Sequence, residues 1–309
     1  MVEDLGPYDS DIDPSEGIEH AIAIAKRIAA GLRKNNNDDS ETTDESIPTV
    51  VYSSPFLRTS HTGYTVANEL QQQQQKQQTT TTGDVELRVE EGLWEWLIPS
   101  LLVTVSDGIK TNPRPIETLR EDLLKLEEGR APTTRTPATI AVGYQSVNPY
   151  DDSGDGEIVS SPELLKKESG AAASTPAEGG GGGRPPRWTE SEEDLIARCE
   201  TTLSRLLANH NETGNSICIV SHAPCDQAMA FNGREIVESP RDSELMAPWP
   251  LGGITVFSRP IGSSGGDGTS FCRDNDNGAR SIELYGDTEH MPGDYKKGLK
   301  EWSLPCFTK

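Results

Sequence analysis

The sequence predicts an α/β fold in three layers, a mostly parallel sheet flanked by helices. Two observations lead there. Short apolar strands alternate with amphipathic helices along the chain, and the strand at 216–220 (SICIV) is apolar without a break from Ile217, as strands covered on both faces are. The first helix, 17–32, carries Ile18, Ala21, Ile22, Ala25, Ile28, Ala29 and Leu32 on one face, with Asp13-Pro14-Ser15 as capping chemistry ahead of it. A strand at 49–52 (TVVY) stops at Ser53-Ser54-Pro55 and leads into a helix over 58–70. The strand at 85–89 ends at Glu91-Gly92. The helix over 190–210 has Thr189 as a cap and Glu192 at capping-box spacing, with Leu195, Ile196, Cys199, Leu203, Leu206 and Leu207 on one face. Strands at 253–258 and 281–285 complete the set.

The chain has 309 residues, with 28 Lys+Arg against 50 Asp+Glu and a net charge of −22. That sign disfavours nucleic acid as a partner, since phosphates need a basic face. No run of 18 apolar residues marks a membrane span, and MVEDLGPYDSD has no secretory pattern. Cys199, Cys218, Cys225, Cys272 and Cys306 form no C-x-x-C pair, which points to reduced thiols in the cytoplasm and to no zinc site. Four polar stretches, 35–46, 71–83, 146–187 and 260–280, have the composition of disordered insertions. The rest is enough for one core, so residues 1–309 are read as a single domain.

Ligands of such sheets sit beyond the carboxyl ends of the strands. Arg58 stands there, at the start of a helix whose free N–H groups favour an anion. Glu95 stands between Trp94 and Trp96, a setting expected to raise its pKa towards that of a general acid. His222 follows the 216–220 strand, where it could contact an oxyanion or move a proton.

Together these segments resemble the histidine phosphatase superfamily, the phosphoglycerate-mutase-like fold. DSDIDPSEGIEHA is similar to D-x-x-L-T-x-x-G-x-x-Q-A, YSSPFLRTSHT to S-P-x-x-R-x-x-Q-T, VEEGLWEW to E-x-x-L-x-E, and VSHA to V-S-H. The Glu95-Trp96 pair is most similar to the eukaryotic protein-tyrosine and ecdysteroid-phosphate phosphatase branch. The resemblance implies a phosphomonoesterase working through a phosphohistidine, without metal or cofactor. It implies that Arg58 and His222 bind the phosphoryl group and that Glu95 protonates the leaving oxygen. The partner would be a small phosphorylated substrate or a phosphoprotein; phosphoglycerate mutase activity is a remoter alternative.

One family motif is missing. The nucleophile belongs to an R-H-G at the end of a first, central strand, yet MVEDLGPY ahead of Asp9 has neither Arg nor His nor an apolar run. His20 and His61 stand where the family has Gln and do not replace it. The sheet is therefore expected to lack that strand. The chain is expected to be an incomplete version of a longer protein, with a catalytically inactive phosphate- or phosphoprotein-binding homologue as the alternative.

A serine hydrolase is the third possibility. Gly262-Ser263-Ser264-Gly265-Gly266 fits G-x-S-x-G, with Asp287 and His290 downstream, but it lies in a polar stretch with no following helix. Asp287 and His290 alone make a poor metal site, and the sequon at Asn211 matters only in a secretory compartment. The oligomeric state has no signature.

Overall fold

The computed structural model describes residues 12–31, 47–76, 83–96, 116–128, 136–141, 144–147, 190–210, 216–231, 249–258, 281–292 and 301–302. Helix α1 (Glu16–Ala29) opens behind an acidic turn. There Asp13 Oδ1 accepts from the Ser15 hydroxyl and from the N–H groups of Ser15 and Glu16, so orphan donors of the first turn are satisfied. Ala21 and Ala25, one turn apart, are fully buried in the core shared with α2 (Leu57–Lys76).

Strand β1 (Val50–Ser53) is buried at all four positions because it is paired on both sides. It runs parallel to β2 (Glu86–Val89) and to β4 (Ile217–Val220), and a two-residue β3 (Thr139–Ile140) extends the sheet beyond β2. The order is β3-β2-β1-β4. Alternation along the strands separates two cores. Val51, Leu87 and Val89 join α1, α2 and α3 (Ile116–Glu128), with Cys218 and Val220 packed against them. Val50 and Tyr52 join α4 (Glu192–Ala208) and α5 (Ala223–Phe231), with Ile217 and Ile219. Helices thus cover both faces of a parallel sheet, the expected three layers.

Several expectations change in detail. Helix α4 is capped by Ser191 and Asp194 in a reciprocal capping box, two residues beyond the expected pair; Thr189 itself lies outside the described residues. The stretch 71–83 is not wholly an insertion, because Gln71–Lys76 continue α2. Buried side chains hold them: Gln71 Oε1 accepts from the Val85 N–H, and Gln74 donates to the Ile47 carbonyl. Ser146 and Val147, assigned to the third insertion, are tied to Glu90. The stretches 35–46, 77–82, 148–187 and 260–280 lie outside the described residues.

Strand β4, expected at full burial, is only half-buried throughout. Among the described residues it is the edge of the sheet, with helices on its faces and no partner strand on its far side. The last two expected strands, β6 (Ile254–Ser258) and β7 (Ser281–Asp287), pair antiparallel with each other rather than joining the parallel sheet. Two-residue strands β5 (Trp249–Pro250) and β8 (Glu301–Trp302) form a further antiparallel pair. Arg27 of α1 ties the hairpin to the helical layer through a 2.9 Å bond to Asp287.

Candidate phosphate site

Parallel register brings the site together. Ser53 stands opposite both Val89 and Val220, so the chain leaves β1, β2 and β4 at the same level. The exits are then stitched: the Ser54 N–H donates to the Val220 carbonyl at 3.1 Å, and the Glu90 N–H to the Ser53 carbonyl at 2.8 Å. Arg58, Glu95 and His222, from three separate segments, meet here.

The three side chains share one oxygen. Arg58 Nη2 donates to Glu95 Oε2 at 2.8 Å, and His222 Nδ1 lies 2.9 Å from that same atom. Arg58 Nη2 and His222 Nδ1 are 3.3 Å apart. On its other side, His222 Nε2 meets the Ser54 hydroxyl at 2.8 Å. Phe56 packs edge-on against the imidazole at 5.4 Å between centroids and lies 5.2 Å from the Arg58 guanidinium carbon. His222 is nearly covered, at 4% side-chain exposure, whereas Arg58 and Glu95 keep 26% and 24%. Approach from solvent therefore meets Arg58 and Glu95 first.

The electrostatics overturn one expectation. Trp94 and Trp96 do not keep Glu95 protonated. Burial by itself would raise its pKa, but His222 and Arg58 outweigh burial and bring the carboxyl down to about 2. The indoles are turned into the protein: Trp96 donates its ring N–H to the Glu190 carbonyl, and Trp94 packs edge-on against Phe56. His222 shifts downward too, chiefly through burial, with Arg58 and Arg198 acting in the same direction and Glu95 opposing.

Asp226, in the first turn of α5, is pushed up to about 8 by burial and by Glu95. Its folded-state pKa lies above the ordinary 3.8, so its contribution to stability is present below pH 3.8 and lost as pH rises towards 8. Asp226→Asn is expected to flatten that decline and to leave the protein more stable than wild type at pH 8. Denaturation midpoints at pH 5 and pH 8 check this.

Residues that escaped the sequence reading hold the Glu95 segment in place. Arg198, 1% exposed, makes a two-pronged ion pair with Glu190 at 2.6 and 2.7 Å. Its remaining donor reaches the Gly92 and Trp94 carbonyls at 2.8 and 3.1 Å. Ser221 donates to the Leu93 carbonyl and the Cys225 thiol to that of Trp94. Gly92 is required by this close approach, because a Cβ there would fall 2.2 Å from Thr202 Oγ1. Fully buried Glu90 accepts from the Gly92 N–H, the Tyr144 and Ser146 hydroxyls and the Val147 N–H. A charged residue on the buried face of α4, one turn after Leu195, was the available signal for Arg198.

The described residues of the competing sites have other partners. Asp287 is engaged by Arg27 and by the Glu289 N–H, and His290 Nε2 bonds to the Gly252 carbonyl. Ser264 and Asn211 lie outside the described residues. Among the described residues no cluster of His, Cys, Asp and Glu could hold a metal, and no helix is long and apolar enough to cross a membrane. The described cysteines Cys199, Cys218 and Cys225 are free thiols.

No family model and no curated protein matches the chain. Among solved structures it is similar to the crystal structure of an ecdysone phosphate phosphatase from Bombix mori in complex with tungstate, with 14% identity and a TM-score of 0.37. The match covers 94% of this chain and 69% of that one.

Proposed function

We propose that the cleft binds the phosphoryl group of a small phosphate monoester or a phosphoprotein, in a histidine phosphatase of the phosphoglycerate-mutase-like type. The observation that carries this reading is the convergence of Arg58, Glu95 and His222 within 3.3 Å at the carboxyl ends of adjacent parallel strands. Arg58 supplies a forked cation suited to phosphate oxygens, and His222 lies beside it. An arriving phosphate competes with Glu95 for Arg58. Its charge also raises the proton affinity of Glu95, which prepares that carboxyl to protonate a leaving oxygen.

In the complete chemistry a histidine attacks phosphorus, the P–O ester bond breaks and Glu95 protonates the departing oxygen. Water then releases phosphate from the phosphohistidine. The sequence contains no Arg-His-Gly to supply that nucleophile. His222 is poorly placed to replace it, because its two ring nitrogens are engaged by Ser54 and Glu95. This engagement favours a second reading, phosphate binding without turnover.

Calorimetric titration of the 309-residue chain with inorganic phosphate tests the common element. Arg58→Ala is expected to weaken binding about 10- to 100-fold, the scale of a charge-assisted bond. Folded wild-type protein that binds no phosphate would overturn the proposal. Hydrolysis of p-nitrophenyl phosphate separates the readings: turnover supports the phosphatase, and binding without turnover supports the second.

A further inference from the structure

We infer that Ser54 is a positioning residue whose hydroxyl fixes His222 as the neutral imidazole protonated at Nδ1 and turned towards Glu95. The inference deepens the proposed function, since it takes His222 as part of the phosphoryl site. It starts from the position of the protons. A ring nitrogen 2.9 Å from a carboxylate oxygen must share a proton with it. Arg58 donates to the same oxygen and keeps it ionised, so the proton resides on Nδ1. The 3.3 Å between Arg58 Nη2 and Nδ1 is then an approach of two hydrogen-bearing atoms, longer than the bond each makes to Glu95.

The choice at Nε2 falls to Ser54. Its residue is fully buried, and among the described residues the hydroxyl has one partner, Nε2, at 2.8 Å. When the hydroxyl donates, the ring is neutral and every polar hydrogen has an acceptor. A proton on Nε2 would have to point at the serine oxygen, and the hydroxyl hydrogen would be left buried without an acceptor. The backbone that carries the hydroxyl is fixed on both sides. The Ser54 N–H donates to the Val220 carbonyl, and the Ser54 carbonyl accepts from the Ser60 hydroxyl at 2.7 Å and the Thr59 hydroxyl at 3.2 Å. The charged groups around the ring are Glu95, Arg58 and Arg198; Asp226 on α5 interacts with Glu95 and, with its pKa pushed up to about 8, is protonated at neutral pH. Burial and the two arginines favour the neutral ring, as Ser54 does. The consequence is mechanical: when a phosphate draws Arg58 away from Glu95, His222 Nδ1–H still holds the carboxylate in place.

Ring nitrogen NMR of the full chain with labelled histidine reads the tautomer directly, without any phosphate. His222→Gln assigns the signals. In wild type at neutral pH, Nδ1 is expected to be protonated and Nε2 to be an unprotonated acceptor. In Ser54→Ala, Nδ1 should stay protonated, because Glu95 still faces it, and the titration midpoint of His222 should move upward as Nε2 becomes free to take a proton. A wild-type ring protonated at Nε2 overturns the inference even if Ser54→Ala fails to fold, and an unchanged midpoint in folded Ser54→Ala overturns it as well. Since no ligand is present, a protein that binds no phosphate can still give the expected tautomer, which distinguishes this failure from that of the proposed function.

Discussion

Replacing Glu95 with Gln is expected to tighten the binding of inorganic phosphate about tenfold. The carboxylate occupies Arg58 at 2.8 Å and presents a negative charge where the phosphate must enter. A like charge a few ångströms away in a partly exposed cleft costs an anion about 1–2 kcal/mol, and about 1.4 kcal/mol is tenfold. The amide keeps the shape and can still bond to neighbours, so the gain isolates the charge. Glu95 has its pKa depressed to about 2. The affinity gap between variant and wild type should therefore be full at neutral pH and narrow as acidification protonates the carboxyl. Stability follows the same sign: the contribution of the Glu95 cluster is present above pH 4.5 and is lost as pH falls towards 2. Calorimetry at two pH values checks the affinity, and weaker binding by Glu95→Gln would contradict the competition.

The largest effect on stability is expected at Arg198. Changing it to Met takes the two-pronged cationic partner from Glu190, whose side chain is 2% exposed. It also releases the Gly92 and Trp94 carbonyls. Breaking one side of such a pair costs about 3–5 kcal/mol, which corresponds to a Tm lower by about 10 °C for a domain of this size. The double change Glu190→Gln with Arg198→Met should recover much of the loss, because the buried carboxylate is removed together with its cationic partner. Calorimetric melts of the single and double variants check both parts. A single-variant loss below about 1 kcal/mol would mean that the pair does not hold the Glu95 segment.

The alternation of strand and helix was legible because each element carries its own period, and that was enough to locate the strand exits. Arg58, Glu95 and His222 were legible for the same reason, as polar residues just beyond apolar runs. What a linear pattern cannot report is lateral position. Ile217–Val220 is apolar on both faces, yet the described sheet leaves it at an edge, because facing is periodic in sequence and neighbourhood is not. The pKa of Glu95 was misjudged on similar grounds. Its chain neighbours are indoles, but its neighbours in space are a guanidinium and an imidazole. Ser54 was seen as the end of a strand, while its bond to His222 spans 168 positions. The glutamine run was read by composition, and bonds from Gln71 and Gln74 to Val85 and Ile47 make its first part helical.

The central claim is that Arg58, beside His222, binds a phosphoryl group under the control of Glu95. A crystal structure of the 309-residue chain grown with inorganic phosphate tests it most directly. The account expects a phosphate bonded to the Arg58 guanidinium beside His222, with Arg58 drawn off a Glu95 carboxylate that stays on His222 Nδ1. A chain that leaves the Arg58–Glu95 bond intact at saturating phosphate, or holds the anion elsewhere, would contradict it.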